Sequence, residues 1–436
     1  MRAAIATLGC KANQFESQAL EALLRQRGHT VVPFSEEADA YIVNTCSVTA
    51  ESDRKSMQLL RRVRREHPAA VAAVCGCCPQ THGAEGLDAD VIGGTGDRRG
   101  FVELVEQAAA DRKRRIALDD PRTRRTFESL PAVRPTRRTR AMLKIEDGCA
   151  NFCTYCVIPY ARGPVRSLPQ APAVEQAMDL AAQGIREIVL TGIEISSWGR
   201  DLPEAGNLAD LTEALCAAVP DTRIRLGSLE AGIVTEDFCK RLSRLPNLCP
   251  QFHLSLQSGC DDTLRRMGRK YDTAQYAGKL ALLRRFFPRP AVTTDLIVGF
   301  PGETEAEFDA TLSFLRACGF ARTHVFPYSP RPGTAAASME GQIPGPVKEA
   351  RARQAGSVAA ESQRAYLEGC VGETYDVLFE QDREGASRGH APNYAEVRVS
   401  APGLRNLLRP VRIRSTDGKV LYGELIQSDG EGRETP

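Results

Sequence analysis

The chain lacks any apolar run near the roughly 18 residues that a membrane span needs. It lacks a secretory leader as well: the apolar start, residues 1–10, is too short and too soon interrupted. It lacks a basic excess, with 57 Lys and Arg against 55 Asp and Glu for a net charge of +2. A membrane protein is therefore not expected, and any nucleic-acid face must be local rather than global. The 14 cysteines point to a reducing compartment, with thiols used for metal or catalysis and not for disulfides. The expected location is the cytoplasm. The 436 residues, 42% hydrophobic and 26% charged, have the composition of a soluble globular chain of two or three domains.

A further absence is local. Cys149, Cys153 and Cys156 stand at a Cys-x3-Cys-x2-Cys spacing, yet no fourth ligand follows; the next cysteine is Cys216 and the next histidine His253. A structural zinc site wants four ligands and usually pairs its cysteines. Three thiolates on one tight loop suit a four-iron four-sulfur cluster with one iron open to a ligand. The competing reading is an incomplete zinc loop or stray thiols.

Upstream, short apolar runs alternate with helical periodicity: strands over 2–8, 40–43 and 70–74, helices over 13–27, 49–66 and 100–110. Asn13 is placed to cap the first helix and Gly28 to stop it. Such alternation predicts an open parallel α/β domain over residues 1–110. Cys10, Cys46 and Cys77 follow the three strands. Ligands gather beyond the carboxyl ends of parallel strands, so these thiols can meet and hold a second cluster, or else be ordinary buried thiols. Cys75, Cys77 and Cys78 compete for the third position. Strand alternation sets Cys75 one step deeper and Cys78 on the other face, and Cys77 follows Gly76 as Cys10 follows Gly9. Cys77 is the choice.

The second helix carries Arg54, Lys55, Arg61, Arg62, Arg64 and Arg65 with no acid between, either a solvated face or a phosphate-contacting stripe. Residues 112–140 hold eleven Arg or Lys against three acids, and Pro121, Pro131 and Pro135 discourage a helix. Residues 111–140 therefore read as an exposed basic linker near a polyanion, with nucleic acid the simplest candidate.

Residues 141–368 contain six strand-then-helix units, with strands over 141–146, 187–190, 223–226, 251–256, 291–298 and 323–327. Six units suit a partial (β/α)6 barrel, whose chemistry sits on the loops after the strands. The three-cysteine loop follows the first strand. Thr191 and Gly192, Ser228 and Glu230, Ser255 and Gln257, and Gly299 fall at later strand ends and suggest a small-molecule site. Residues 344–367 read as one helix, and residues 369–436 as a small β-barrel of the oligonucleotide-binding type that includes Tyr394, with residues 430–436 frayed.

Together these features resemble the radical S-adenosylmethionine methylthiotransferases, closest to those acting on N6-threonylcarbamoyladenosine in tRNA. Leu8-Gly9-Cys10, Asn44-Thr45-Cys46 and Gly76-Cys77 match the family's N-terminal motifs, with Cys78 where an aromatic is usual. Residues 147–163 match the radical motif, residues 256–259 and 295–304 the later barrel motifs, and the tail the TRAM domain. The resemblance implies two [4Fe–4S] clusters. One, on Cys149, Cys153 and Cys156, reduces S-adenosylmethionine to a radical that takes hydrogen from an unactivated carbon. The other, on Cys10, Cys46 and Cys77, presents the sulfur, and a second S-adenosylmethionine supplies the methyl. It further implies cofactor contacts at Tyr155, Thr191, Gly192, Ser255, Gln257 and Gly299. The implied partners are tRNA, an electron donor such as flavodoxin or ferredoxin, and a sulfur source. Lys11, the run 223–230 and Gly268-Arg269-Lys270-Tyr271 resemble the threonylcarbamoyl group of enzymes. The sister activities, on N6-isopentenyladenosine in tRNA or on a ribosomal protein side chain, are the alternatives.

Overall fold

A computed structural model describes residues 1–135, 138–203 and 206–426. Its first layer is a parallel sheet of β1 (Arg2–Thr7), β2 (Thr30–Val32), β3 (Ala40–Thr45), β4 (Val71–Gly76), β5 (Val91–Gly93) and β6 (Arg115–Ala117), in the order 2-1-3-4-5-6. β3, β4 and β5 are buried along their whole length, which explains their near-continuous apolar sequence. α1 (Lys11–Gln26) and α4 (Arg98–Asp111) pack on one face through Phe15, Leu20, Leu24, Phe101 and Val102. α2 (Ala50–Glu66) covers the other through Leu60 and Val63. A short α3 (Cys77–His82) leaves β4.

Strand order reverses between β1 and β3, which makes the crevice beyond their carboxyl ends the natural ligand site. α1 begins two residues before its expected start, with Cys10 at the cap and no side-chain cap bond. Asn13 lies inside the helix: its amide donates to the Leu8 and Thr45 carbonyls. β6 falls inside the stretch read as a linker, because its three residues are too short to register as a strand. Residues 119–124 of that stretch are a strap against both neighbouring layers. Gln80 donates to the Asp119 carbonyl, Pro121 is buried, and Arg124 donates to Thr95 and Gln80.

The central layer contains β7 (Arg140–Lys144), β8 (Glu146–Asp147), β9 (Arg166–Ser167), β10 (Glu187–Thr191), β11 (Arg223–Arg225), β12 (Ser228–Leu229), β13 (Gln251–Leu254), β14 (Ala291–Val298) and β15 (Arg322–Pro327). Parallel pairing runs 7-10-11 and 12-13-14-15. β11 and β12 are two halves of one strand, broken at Leu226 and Gly227. All six expected strands are thus present in an arc open between β7 and β15. Around it lie α5 (Ile158–Arg162), α6 (Gln170–Ala182), α7 (Leu208–Ala218), α8 (Glu236–Leu242), α9 (Asp261–Arg266), α10 (Thr273–Phe286), α11 (Glu305–Cys318) and α12 (Gly345–Glu368).

The chain then forms a closed five-stranded barrel of β16 (Thr374–Arg383), β17 (Ala386–His390), β18 (Glu396–Val399), β19 (Leu408–Thr416) and β20 (Leu421–Leu425). β17 is rich in polar residues and carries no apolar alternation that would mark it as a strand. Residues 430–436 lie outside the described residues. A buried carboxylate anchors this barrel. Glu187 accepts from Arg223 Nη2 at 2.5 Å and Arg225 Nε at 2.7 Å. The same guanidiniums donate to the carbonyls of Asp376 at 2.7 Å and Pro392 at 2.9 Å. No helix among the described residues is long and apolar enough to cross a membrane.

Candidate active site

Cys10 caps α1, Cys46 follows β3 and Cys77 opens α3. The three lie near enough that the charges of Cys46 and Cys10 act on the Cys77 thiol. The approach depends on glycine. Gly9 has φ +107°, and a Cβ there would meet Cys46 Sγ at 2.8 Å; Gly76 has φ +97°, and a Cβ there would meet the Thr45 carbonyl at 2.5 Å. No other residue allows either turn.

Cys78 turns the other way. Its thiol, the Asp53 carboxylate and the His82 ring lie within 4.8 Å of one another. That group already holds a cation: Arg331, 3% exposed, donates to Asp53 and lies 3.4 Å from His82 Nε2. Cys75 is buried deeper, where Arg98 and Glu16 act on it.

Cys149, Cys153 and Cys156 are half-buried on the loop after β8. Phe152 sits at φ +48°, which bends the loop between the thiols. The end of α9 anchors it: Thr154 donates from its amide to the Met267 carbonyl at 3.0 Å and from its hydroxyl to the Arg266 carbonyl at 2.9 Å. Arg269 donates to Cys153 Sγ at 3.3 Å and to Glu230 at 2.6 and 2.8 Å. The sequence marked Arg269 as part of a similar run and Glu230 at a strand end; their pairing across 39 residues joins the two at one sulfur.

Both triplets have the donor chemistry of an iron–sulfur site. Burial pushes the Cys77, Cys149 and Cys156 thiols up to about 12. Such thiols are not free nucleophiles at neutral pH, and metal coordination is what deprotonates them outright.

A buried ion network joins the two loops. Glu16 of α1 accepts from Arg98 at 2.7 Å, Lys144 at 2.9 Å and Arg162 at 2.6 Å. Arg162 also donates to Asn13 Oδ1 at 2.8 Å and Asp147 at 3.1 Å. Burial alone would raise the Glu16 carboxyl, but Arg162, Arg98 and Lys144 hold it well below the usual range. A second tie closes the opposite side, where the Ala50 amide donates to Ser329 Oγ at 3.1 Å.

Two cavities lie between these layers. A smaller one, about 230 Å³, is lined by Thr49, Tyr155, Cys156, Gln257, Asp295 and Phe326 among others. Of the six expected cofactor contacts it thus brings together Tyr155 and Gln257, the latter at φ +71°. The other four lie elsewhere. Thr191 is buried at the end of β10. Gly192 packs on Glu146, whose Oε2 accepts from the Ile193 and Glu194 amides at 2.8 Å each. The Ser255 carbonyl accepts from Tyr271 at 2.6 Å, and Gly299 faces Lys348 of α12.

The larger cavity, about 720 Å³, shares Asp295 and Phe326 with the first and runs to the C-terminal barrel. Lys11, Arg138, Arg140, Arg225, Arg322, His253 and His324 line it with Met142, Val189 and Tyr394. Tyr394 reaches in from the barrel, with the Arg140 and Arg225 guanidiniums 4.9 and 4.7 Å from its ring centre. Burial, with Arg225 and Arg140, pushes the Lys11 ammonium down.

The fold and the three-thiol loop define a radical S-adenosylmethionine protein, and residues 143–315 match that superfamily. Residues 2–92 match the uncharacterized protein family UPF0004. Among solved structures, the radical S-adenosylmethionine methyltransferase TsrM from Kitasatospora setae has a similar fold, with TM-score 0.55 at 15% identity over 77% of each chain. The chain is 38% identical to the threonylcarbamoyladenosine tRNA methylthiotransferase MtaB of Bacillus subtilis, over 90% of this chain and 88% of that one. It is 36% identical to the protein of that name from Thermotoga maritima, over 86% of each. It is also 34% identical to the tRNA-2-methylthio-N(6)-dimethylallyladenosine synthase of Moorella thermoacetica, over 97% of this chain and 98% of that one. The chain belongs to the radical S-adenosylmethionine methylthiotransferase family.

Proposed function

We propose that this chain adds a methylthio group to carbon-2 of N6-threonylcarbamoyladenosine beside the anticodon of tRNA. Cys149, Cys153 and Cys156 would hold one [4Fe–4S] cluster and Cys10, Cys46 and Cys77 the other. With S-adenosylmethionine, the clusters supply the one-electron chemistry and sulfur that an unactivated ring carbon requires. The protein's own residues position these parts. Arg162, Asn13 and Glu16 lock the helix bearing Cys10 to the helix after Cys156. Arg269 orients Cys153, and Tyr155 and Gln257 wall the space beside Cys156.

The observation that carries the choice of nucleoside is the cationic lining of the larger cavity. An isopentenyl group wants apolar walls, whereas a threonylcarbamoyl group carries a carboxylate that a cation receives. Residues 1–110 present the sulfur, 111–140 strap the layers, 141–368 carry the radical site and 369–436 hold RNA. An electron donor such as flavodoxin or ferredoxin and a sulfur source complete the cycle. Phe152 and Tyr160, 58% and 48% exposed, give the donor an apolar approach to the cluster loop. The cytoplasm, where tRNA is modified, is the proposed location.

The test is to incubate reduced, reconstituted protein and S-adenosylmethionine with anticodon stem-loop RNA carrying either modified adenosine. Mass spectrometry should show a methylthio adduct on the threonylcarbamoyl RNA. Turnover of the isopentenyl RNA alone would overturn the reading.

A further inference from the structure

We propose that Lys11 is the specificity residue of the larger cavity, its ammonium receiving the carboxylate of the threonylcarbamoyl group; this rests on the substrate reading above. The argument starts from charge pairing around the cavity. Arg140 and Arg225 are already matched: both lie near Glu187, at 3.9 and 2.7 Å. Glu380 pairs with Arg140 at 3.0 Å and with His390 at 3.0 Å. Asp295 faces His253 at 3.3 Å. Among the described residues, Lys11, Arg138 and Arg322 line the same space without an ion pair to any carboxylate, and Arg138 is held by the Gln14 amide oxygen at 2.6 Å. The cavity therefore carries more positive charge than its own acids balance. A site of that kind is completed by an anionic ligand.

Position selects Lys11 from the three. It stands in the first turn of α1, directly after Cys10, so its Cα is about 3.8 Å from that of a proposed sulfur-site ligand. In adenine the ring atoms C6, which bears N6, and C2 flank N1. A group on N6 held at Lys11 thus keeps carbon-2 on the side of the Cys10 loop. Arg138 and Arg322 have no such tie to a thiol. The side chain is exposed to the cavity, yet Arg140, Arg225 and Tyr394 surround it closely enough for their charges to act on it. A carboxylate bound in the cavity would form a charge-assisted bond to that ammonium. The apolar wall of Met142, Val189 and Phe326 leaves room for the purine.

The same cations could instead receive a backbone phosphate, and the experiment separates the two anions. Reconstituted full-length protein is titrated with three anticodon stem-loop RNAs: one carrying N6-threonylcarbamoyladenosine, one carrying its methyl ester, and one with plain adenosine. The wild type should bind the free acid more tightly than the ester. Lys11→Gln should raise Kd for the acid roughly tenfold to a hundredfold and erase the preference over the ester. Lys11→Arg should restore the preference. An equal loss for all three RNAs would assign Lys11 to phosphate or to structure and overturn the proposal, as would an unchanged preference in Lys11→Gln. Iron content of each variant confirms that the protein is folded and loaded. If the wild type turns over only isopentenyl RNA, the substrate reading itself falls. If it turns over threonylcarbamoyl RNA and Lys11→Gln keeps its KM, only the role of Lys11 falls.

Discussion

Arg162 donates from Nη2 to Asn13 Oδ1 at 2.8 Å and from Nη1 to Glu16 Oε1 at 2.6 Å, across 149 and 146 residues. One buried guanidinium therefore spans the helix that starts at Cys10 and the helix that follows Cys156. Asn13 in turn holds the carbonyls of Leu8 and Thr45, each next to a cysteine turn. Removing the guanidinium leaves Glu16 facing only Arg98 and Lys144. Arg162→Met should destabilise the protein by about 3 kcal/mol, as breaking a buried charge pair does. Denaturant unfolding checks this, and a loss under about 1 kcal/mol would mean that the remaining cations suffice.

Cys77→Ala should cut iron from about eight to about four atoms per chain and abolish methylthiolation while cleavage of S-adenosylmethionine continues. Cys78→Ala should keep both iron and activity, because its thiol faces Asp53 and His82 and not Cys46. Iron analysis with product mass spectrometry decides. Activity retained in Cys77→Ala and lost in Cys78→Ala would exchange the two roles.

Arg269 is the hydrogen-bond donor to Cys153 Sγ. Bonds to cluster sulfurs raise a reduction potential, and loss of such a partner typically costs ten- to a hundredfold in activity. Arg269→Met should lower the cluster potential and slow cofactor cleavage by about that factor. A redox titration followed by electron paramagnetic resonance reads the potential directly. An unmoved potential would make Arg269 a structural partner of Glu230 only.

The limits of sequence reading follow from what carries the signal. The six barrel strands were legible because each is an apolar run followed by a helical period. The gathering of Cys10, Cys46 and Cys77 at one edge of the sheet was legible because strand ends are topological landmarks. β2, β5 and β6 escaped because three residues do not establish a period. The Glu16–Arg162 bond escaped because charged residues 146 apart carry no pairing information; only the packed fold brings them together. Four expected cofactor positions sit at strand ends yet line no part of the smaller cavity, since a strand end fixes a neighbourhood and not which atoms face a given space. The pairing of the basic second helix was hidden for a related reason. Its partners, Glu51, Glu66, Asp88 and Asp90, lie outside the acid-free window.

Glu187 is one of the buried carboxylates that contribute to the acid limb of stability. Burial alone would raise its carboxyl, but Arg225, Arg223 and Arg140 hold it well below the ordinary value. A carboxyl depressed in the folded state favours folding when ionised. Its contribution is complete above the unfolded value near 4.3 and is lost as pH falls toward the folded value. Glu187→Gln should therefore destabilise the protein at neutral pH by about 3 kcal/mol and flatten the fall in stability below about pH 4. Denaturant unfolding of both proteins from neutral pH to about pH 3 tests it, and parallel curves would remove Glu187 from the acid response.

RNA affinity should reside in the tail and not in α2. On α2, Arg54 and Lys55 pair with Glu51, Arg62 and Arg65 with Glu66, and Arg64 with Asp88 and Asp90. A phosphate would have to compete with those acids. On the C-terminal barrel, Arg388 and Arg398 share Glu396, and Arg414 pairs with Glu424. Arg405, Arg409, Arg412 and Lys419 are exposed, and no described carboxylate pairs with them. Deleting the barrel is a poor test, since Arg223 and Arg225 bond its carbonyls and Tyr394 lines the cavity. Point substitution avoids that damage. Arg409→Gln with Arg412→Gln should weaken tRNA binding and reduce the slope of log affinity against log salt by about 1 per residue. Arg54→Gln with Arg62→Gln should change the slope by much less. The opposite ranking would place the RNA across the first layer and return the basic helix to the interface.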